Sequence, residues 1–202
     1  MLSLFFSAGS CALATRIVLE EIGAPYELVR VDLSQKQQSS PDFLAINPKG
    51  RVPALVTDHG ALTETPALLA YLAQAFPEAE LAPIGDPFAF AELQAFNSYL
   101  ASTVHVAHAH GRRGTRWASE PASIEDMKRK VPDTMSACMA LIEKDLFRGP
   151  WVMGEAYSVA DAYLFTIEGW LAGDGVDINA FPHLADHFLR MGERPAVQRA
   201  LA

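Results

Sequence analysis

The stretch of sequence that decides the fold runs from Phe43 to Leu55 and reads FLAINPKGRVPAL. Its first four residues are compatible with a short helix, and residues 54–57 predict a strand. Val52-Pro53 stands where that strand begins, a position that suits proline because proline has no N–H to donate to a strand ladder. The dipeptide alone predicts a trans bond, since only about 5–6% of such bonds are cis.

Strands and helices alternate around this stretch. Short apolar runs, β-formers and turn residues predict strands, and apolar residues at i, i+4 spacing predict helices. Thr65-Pro66 opens a helix, with Thr65 as N-cap and the proline at the first helical position. The predicted order for residues 1–77 is β-α-β-α-β-β-α, with strands at 2–6, 26–33, 54–57 and 61–63, and helices at 11–22, 43–46 and 66–76.

A segment rich in proline and glycine separates the second half of the chain from the first. Four such residues fall within eleven positions: Pro77, Pro83, Gly85 and Pro87. Beyond it the apolar spacing predicts helices only, including one at 124–146 that Pro132 bends or breaks. Ser158 and Asp161 have the spacing of a capping box. The predicted organisation is an α/β domain at 1–77, a linker at 78–87 and an all-helical domain at 88–202.

The tripeptide Gly9-Ser10-Cys11 joins the first strand to the first helix. A thiol at a helix N-terminus lies at the positive end of the helix dipole, which favours the thiolate and predicts a depressed pKa for Cys11. The alternative is a small, buried and inert cysteine. Positions 8 and 14 are both alanine, so there is no C-x-x-C dithiol, and a reactive Cys11 needs an external thiol as its partner.

The run Thr63-Glu64-Thr65-Pro66 places a carboxylate and a hydroxyl at a helix N-terminus. The simplest interpretation is a helix cap. The functional interpretation is an amino-acid site, in which Glu64 holds an α-ammonium while the hydroxyl and amide of Thr65 hold the α-carboxylate.

Together these motifs resemble those of the cytosolic glutathione transferases. The resemblance spans nearly the whole chain and rests on residues 7–13 (SAGSCAL), 43–55, 62–65 (LTET) and 158–163 (SVADAY). The cysteine in the first loop is most similar to the bacterial beta class. The resemblance implies a thioredoxin-like N-terminal domain followed by an all-helical domain, a homodimer, glutathione as co-substrate and no other cofactor.

The resemblance also implies roles for residues of this chain. Cys11, with Ser10 as a neighbouring hydroxyl, would face the glutathione sulfur, and His105 would lie near it. Val52, before an expected cis Pro53, would pair its backbone with the cysteinyl unit. Glu64 and Thr65 would hold the γ-glutamyl end. Lys49 or Arg51 would bind the glycyl carboxylate, with Lys36 as a further candidate.

Three positions depart from the beta-class pattern. Phe6 stands where that class has a tyrosine, Val106 follows His105 where a basic residue is common, and Thr65 stands where glycine is frequent.

Histidines and arginines crowd residues 105–116. His105 and His108 have a spacing that can bind a metal, but the segment has no carboxylate or thiol to complete a site, so no metal is predicted. The resemblance places this segment at the mouth of the electrophile site, with Phe6, His108 and Arg112 among its residues. Its positive charge would favour acidic electrophiles.

The composition excludes several classes of protein. The chain has 202 residues and a net charge of −8, which argues against nucleic-acid binding because phosphate contacts need clustered bases. Two cysteines are too few for a disulfide framework, and no apolar run reaches the roughly 18 residues of a membrane span. The N-terminus lacks the basic start of a signal peptide. We therefore expect a cytoplasmic protein.

Two functions stay open at this point. The first is a glutathione S-transferase that stabilises the glutathione thiolate and conjugates it to small electrophiles in detoxification, with disulfide reduction through Cys11 as a second activity. The second is a non-catalytic protein of the same fold that binds a partner in a stress response. The intact glutathione contacts favour the enzyme. The sequence identifies neither the electrophile nor which of Cys11, Ser10 and His105 activates the thiol.

Overall fold

The computed structural model describes residues 1–202, with four β-strands and nine α-helices. The strands are β1 (Leu2–Phe6), β2 (Tyr26–Arg30), β3 (Ala54–Thr57) and β4 (Gly60–Thr63). The helices are α1 (Ala12–Ile22), α2 (Pro41–Ile46), α3 (Thr65–Ala75), α4 (Pro87–Tyr99), α5 (His105–Arg113), α6 (Pro121–Leu141), α7 (Val159–Glu168), α8 (Pro182–Gly192) and α9 (Pro195–Leu201). None of these helices is long and apolar enough to cross a membrane. The cytoplasmic location stays a prediction.

The chain packs as two compact units. Unit 1 consists of residues 1–91 and 192–202, and unit 2 of residues 92–191. The predicted domain limits, 1–77, 78–87 and 88–202, rest on the composition of the sequence. They stay a prediction.

The last eleven residues pack with unit 1 because α9 lies against α1. Two ion pairs support this packing. Arg194 Nε lies 2.7 Å from Glu21 Oε1, and Arg199 Nε lies 2.8 Å from Glu20 Oε2. Apolar spacing predicts helices throughout this half of the chain, but such spacing does not show which helix packs on which apolar face.

Unit 1 is built on a sheet with the strand order β2-β1-β3-β4. β1 is parallel to β2 and antiparallel to β3, and β3 and β4 form an antiparallel hairpin. Leu4 of β1 and Leu55 of β3 face each other across the central ladder and have no exposed surface. The order β-α-β-α-β-β-α confirms the predicted thioredoxin-like fold of the N-terminal half.

Unit 2 consists of helices and loops, as predicted. Every residue of α7 is buried. The predicted capping box is present at its start, where Ser158 N donates to Asp161 Oδ2 at 2.7 Å. The predicted long helix begins at Pro121 and runs through Pro132, then continues in a π-helical turn at Ile142–Leu146.

Three ionisable side chains are buried together in unit 2. His187 of α8 lies between two carboxylates of α7, with Nδ1 3.0 Å from both oxygens of Glu168 and Nε2 3.2 Å from Oδ1 of Asp161. None of the three side chains has exposed surface. Asp161 also accepts N–H bonds from Val152 and Ser158, so backbone groups share in satisfying its charge.

The two carboxylates control the protonation of His187. Burial alone would lower the pKa of this imidazole, but the Glu168 and Asp161 carboxylates outweigh burial and raise the pKa to about 9. Burial raises the pKa of the Glu168 carboxyl, and the His187 cation offsets part of that rise. At neutral pH the imidazole is therefore protonated and donates from both nitrogens.

We expect the protein to lose stability as the pH rises above neutral. The imidazole of the unfolded chain loses its proton near pH 6.5, whereas His187 in the fold keeps its proton to about pH 9. The stabilisation is therefore complete below pH 6.5 and is lost as the pH rises through 9. Urea unfolding should show a fall on the order of 3 kcal/mol in the free energy of unfolding across this window.

The control is the double variant Glu168→Leu/His187→Phe, which replaces the charged pair with apolar side chains. Its free energy of unfolding should fall less over the same pH range. An equal fall in both proteins would show that His187 is not the origin of the pH dependence.

Candidate functional site

Strand pairing in unit 1 brings three of the predicted site segments to one end of the sheet. Ala54, the first residue of β3, is paired with Phe5 of β1 on one side and with Thr63 of β4 on the other. The loop after β1, the residues before β3 and the start of α3 therefore leave the sheet at the same end. These are the segments that carry Cys11, Val52 and Glu64.

The loop after β1 holds Cys11 at the start of α1. Gly9 takes a left-handed conformation (φ 70°) that a residue with a side chain rarely adopts, and Cys11 is the N-cap residue of the helix. Cys11 is 9% exposed, and its Sγ lies 3.8 Å from the backbone oxygen of Val52. The thiol therefore lies beside the backbone group that the resemblance assigned to the cysteinyl unit.

Ser10 shapes the same loop through its hydroxyl. The Oγ donates to the backbone oxygen of Ser7 at 2.6 Å and accepts from Ala12 N at 3.3 Å. A hydroxyl has only one proton to donate. Direct action of Ser10 on a sulfur thus requires the hydroxyl to rotate away from Ser7, and in this arrangement Ser10 positions the start of α1.

Asn47 holds the loop before β3. Its buried side chain donates from Nδ2 to the Arg51 oxygen at 2.6 Å, and its Oδ1 accepts from Lys49 N at 3.2 Å. This role of Asn47 was not predicted, although an asparagine side chain that bonds to the backbone two residues on is a known turn signal. The Val52–Pro53 bond that follows is cis, as the resemblance implied.

Glu64 is the N-cap residue of α3, so the prediction of Thr65 at that position was wrong by one residue. The carbonyl of Glu64 accepts the hydrogen bond from Leu68 N at 3.0 Å, and Thr65 is already buried in the first turn. Glu64 has a φ of 74°, a left-handed value that costs a non-glycine residue on the order of 1–3 kcal/mol. Residues in such conformations cluster at functional sites.

The Glu64 carboxylate is paired with Lys49. Lys49 Nζ lies 2.6 Å from Glu64 Oε1 and 2.6 Å from the Thr63 hydroxyl. The two charged side chains are 43% and 60% exposed, so the pair adds little to stability. A ligand ammonium at Glu64 would compete with Lys49, whereas the exposed side chain of Arg51 lies outside this pair.

Phe6, predicted for the electrophile site, is the last residue of β1. The guanidinium carbon of Arg16 lies 5.8 Å from the centre of its ring, close enough for a cation–π contact.

The other predicted residues lie in unit 2 on α5. The ring centre of His105 is 4.9 Å from that of Trp170, and His108 is stacked on the same indole at 4.3 Å. Arg112 is exposed in the last turn of the helix. Asp174, which was not predicted as a partner, places its Oδ2 2.7 Å from His108 Nδ1, across 66 positions of sequence.

The chain contains no group of three or more His, Cys, Asp or Glu side chains arranged to hold a metal ion. The rings of His105 and His108 lie 6.3 Å apart, and Nδ1 of His108 is engaged by Asp174. Neither cysteine forms a disulfide.

Two family models match the chain. The model of the glutathione S-transferase N-terminal domain covers residues 2–74, and that of the C-terminal domain covers residues 115–195. The chain belongs to the glutathione S-transferase family. Glutathione S-transferase GstA of Escherichia coli O157:H7 is 34% identical to it over 204 residues, which is 100% of this chain and 98% of that protein.

Solved glutathione S-transferase structures match along the whole chain. A glutathione transferase homologue from Sulfitobacter, with bound glutathione, is 50% identical, with a TM-score of 0.95 over 98% of this chain and 96% of that chain. The beta-class glutathione S-transferase of Sphingomonas chungbukensis is 36% identical, with a TM-score of 0.86 over 98% and 96%. These likenesses confirm the predicted family and its similarity to the bacterial beta class.

Proposed function

We propose that this glutathione S-transferase binds glutathione on unit 1 and joins its sulfur to small electrophiles. The observation that carries the proposal is the contact between the Cys11 thiol and the Val52 backbone, at the end of the sheet where Glu64 begins α3. Glutathione has a thiol in its middle residue and a free amino-acid group at one end. These groups match the Cys11 thiol with the Val52 backbone, and the Glu64 carboxylate, at this end of the sheet. The glutathione in the Sulfitobacter relative supports the same assignment.

The γ-glutamyl end of glutathione is a zwitterion and needs two opposite charges or dipoles. Glu64 supplies a carboxylate for the ammonium, and the first turn of α3 at Thr65 supplies the positive end of a helix for the carboxylate. The two contacts lie one residue apart, which matches the single carbon between the two groups of an α-amino acid.

Lys49 and Arg51 differ as partners for the glycyl carboxylate. Lys49 is bonded to Glu64, so it can reach the far end of the tripeptide only by leaving that pair. Arg51 is exposed on the same loop, which the Asn47 side chain holds in shape. We assign the glycyl carboxylate to Arg51 first. Lys49 becomes a second partner once the glutathione ammonium has replaced the Lys49 ammonium at Glu64.

Conjugation uses the glutathione sulfur as the nucleophile. The thiol loses its proton to solvent, the thiolate forms a C–S bond with the electrophile, and a leaving group departs with the electron pair or a double bond takes a proton. The start of α1 at Cys11 supplies the helix dipole that stabilises the thiolate. The chemistry needs no metal or prosthetic group, and glutathione is a co-substrate.

Cys11 gives the protein a second reaction, the reduction of glutathione-containing disulfides. The Cys11 thiolate attacks the glutathionyl sulfur of the disulfide, forms a mixed disulfide with glutathione and releases the other half of the substrate as a thiolate. A second glutathione then attacks the mixed disulfide, so glutathione disulfide leaves and Cys11 is restored. No second protein thiol is required, which agrees with alanine at positions 8 and 14.

The protein is also proposed to be a homodimer, with one N-terminal domain on the helices near residues 88–110 of the other subunit. Phe88 of α4 supports this surface because it is a large apolar side chain that is 75% exposed.

Replacing Glu64 by glutamine should weaken glutathione binding. The change removes the charge at the ammonium site and keeps the size of the side chain, so we expect a loss of roughly 1.5–3 kcal/mol, about ten- to a hundredfold in Kd. Isothermal titration in solution measures the affinity. The matched control is Glu80→Gln, an exposed acid with a φ of 53° beyond the other end of α3. Equal affinity in both variants would remove the assignment of Glu64.

Treatment with glutathione disulfide should attach one glutathionyl group to Cys11, and intact-mass analysis should detect it. Cys11→Ala should lose the adduct and the disulfide reductase activity while retaining part of the conjugation activity, because the helix dipole remains. Cys138→Ala, which changes the buried thiol of α6, should behave like the wild type. An adduct at Cys138 alone, or none at all, would contradict the redox role.

Light scattering should give twice the chain mass of 22.0 kDa for the wild type. Phe88→Asp should shift the population towards the monomer because it places a charge on the proposed contact surface. The control Leu189→Asp changes a side chain of α8 that is 69% exposed and lies outside residues 88–110, and it should leave the mass unchanged. A wild-type monomer at micromolar concentration, or a Phe88→Asp dimer as stable as the wild type, would overturn the proposed assembly.

A further inference from the structure

The side chain of Lys49 places its ammonium group against two oxygen atoms at the end of β4. Nζ lies 2.6 Å from Oε1 of Glu64 and 2.6 Å from Oγ1 of Thr63. All three residues belong to unit 1. An ammonium group has three hydrogens to donate and accepts none, so a carboxylate oxygen beside a hydroxyl oxygen suits it. The two oxygens therefore form a subsite for an ammonium group, and Lys49 occupies this subsite.

The backbone on both sides of the subsite is held in place. The buried side chain of Asn47 accepts a hydrogen bond from Lys49 N at 3.2 Å and donates one to the Arg51 oxygen at 2.6 Å. Thr63 is paired with Ala54 in the ladder between β3 and β4. The loop and the strand end thus have fixed positions, which keeps the lysine within reach of both oxygens.

The contact between Lys49 and Glu64 is open to exchange with a ligand. The two side chains are 43% and 60% exposed, so a dissolved amine can reach the carboxylate. An ion pair with this exposure is weak, because water screens the attraction and two long side chains lose freedom. An ammonium group on a ligand that is bound elsewhere in unit 1 can therefore replace the lysine.

We propose that Lys49 is an internal competitor of glutathione. Its ammonium group occupies the place of the γ-glutamyl ammonium, and glutathione binds by exchanging one ammonium group for the other. This inference rests on the proposed function, because it concerns the γ-glutamyl end of glutathione. It also assigns Thr63 as a second acceptor for the ligand ammonium, beside Glu64. The carboxylate keeps an ammonium partner before and after the exchange, and no proton is transferred.

The exchange determines how Lys49 affects the affinity for ligands. A ligand with an α-ammonium group has to replace the Lys49–Glu64 pair, so removal of the lysine charge should tighten binding. A lysine that only attracts the ligand has the opposite effect, since its removal would weaken binding. The sign of the change in Kd therefore distinguishes a competitor from a direct partner.

The test is isothermal titration of Lys49→Met, which removes the charge and keeps most of the side-chain length. The ligand is glutathione with an ethyl ester on its glycine, which has no glycyl carboxylate for a displaced lysine to bind. We expect a Kd about two- to fivefold lower than that of the wild type, the range that an exposed ion pair allows. The matched control Lys128→Met changes an exposed lysine that lies 4.0 Å from Glu125 in unit 2, and it should leave the Kd unchanged.

A second variant, Thr63→Val, tests whether the lysine and the ligand share one subsite. The Thr63 hydroxyl holds an ammonium group both before and after binding, so its loss should leave the Kd of the wild type for the ester nearly unchanged. In the Lys49→Met background the hydroxyl gains an ammonium partner only on binding. There Thr63→Val should weaken binding of the ester about two- to tenfold, the effect of one hydrogen bond.

An unchanged or higher Kd for the ester in Lys49→Met, or an equal loss from Thr63→Val in both backgrounds, would overturn the competition. A wild type that does not bind glutathione would refute the proposed function itself. A wild type that binds glutathione and loses affinity in Glu64→Gln, but gains none for the ester in Lys49→Met, would keep the proposed function and reject this inference.

Discussion

The position of β3 between β1 and β4 is the constraint on which the site depends. Ala54 is paired with Phe5 on one side and Thr63 on the other, so three segments far apart in sequence end in one row. The burial of Leu4 and Leu55 fixes this register, because a slip by one residue would turn each apolar side chain to the opposite face. The hydrophobic core thereby determines where the Cys11 thiol, the Val52 backbone and the Glu64 carboxylate lie.

Much of the fold was predictable because its signals are local. The alternation of strands and helices and the capping box at Ser158 depend on residues within a few positions of each other. The three motifs of unit 1 were individually weak, since a cysteine, a Val-Pro pair and a Glu-Thr pair each have an ordinary structural explanation. Their order along the chain indicated the family, and the strand pairing shows why that order matters.

The features that the sequence did not predict depend on contacts between distant residues or on backbone geometry. The left-handed φ of Glu64, the N-cap residue of α3, has no signal in residue type, because glycine or asparagine is the usual residue in such a conformation. His187 and Glu168 are 19 positions apart and read as ordinary helix residues, yet they form a buried charged pair. His108 and Asp174 are 66 positions apart, and only the structure shows that a turn of unit 2 brings the carboxylate to α5.

Unit 1 offers the groups that suit glutathione: a thiol at a helix start, an open backbone segment and an acid at a second helix start. We infer that glutathione lies along this row, and a crystal structure of the protein with glutathione would show its position. We expect the glutathione sulfur beside Cys11, the cysteinyl backbone bonded to Val52, and the ammonium on Glu64 in place of Lys49. Glutathione bound elsewhere, with the Lys49–Glu64 pair intact, would contradict it.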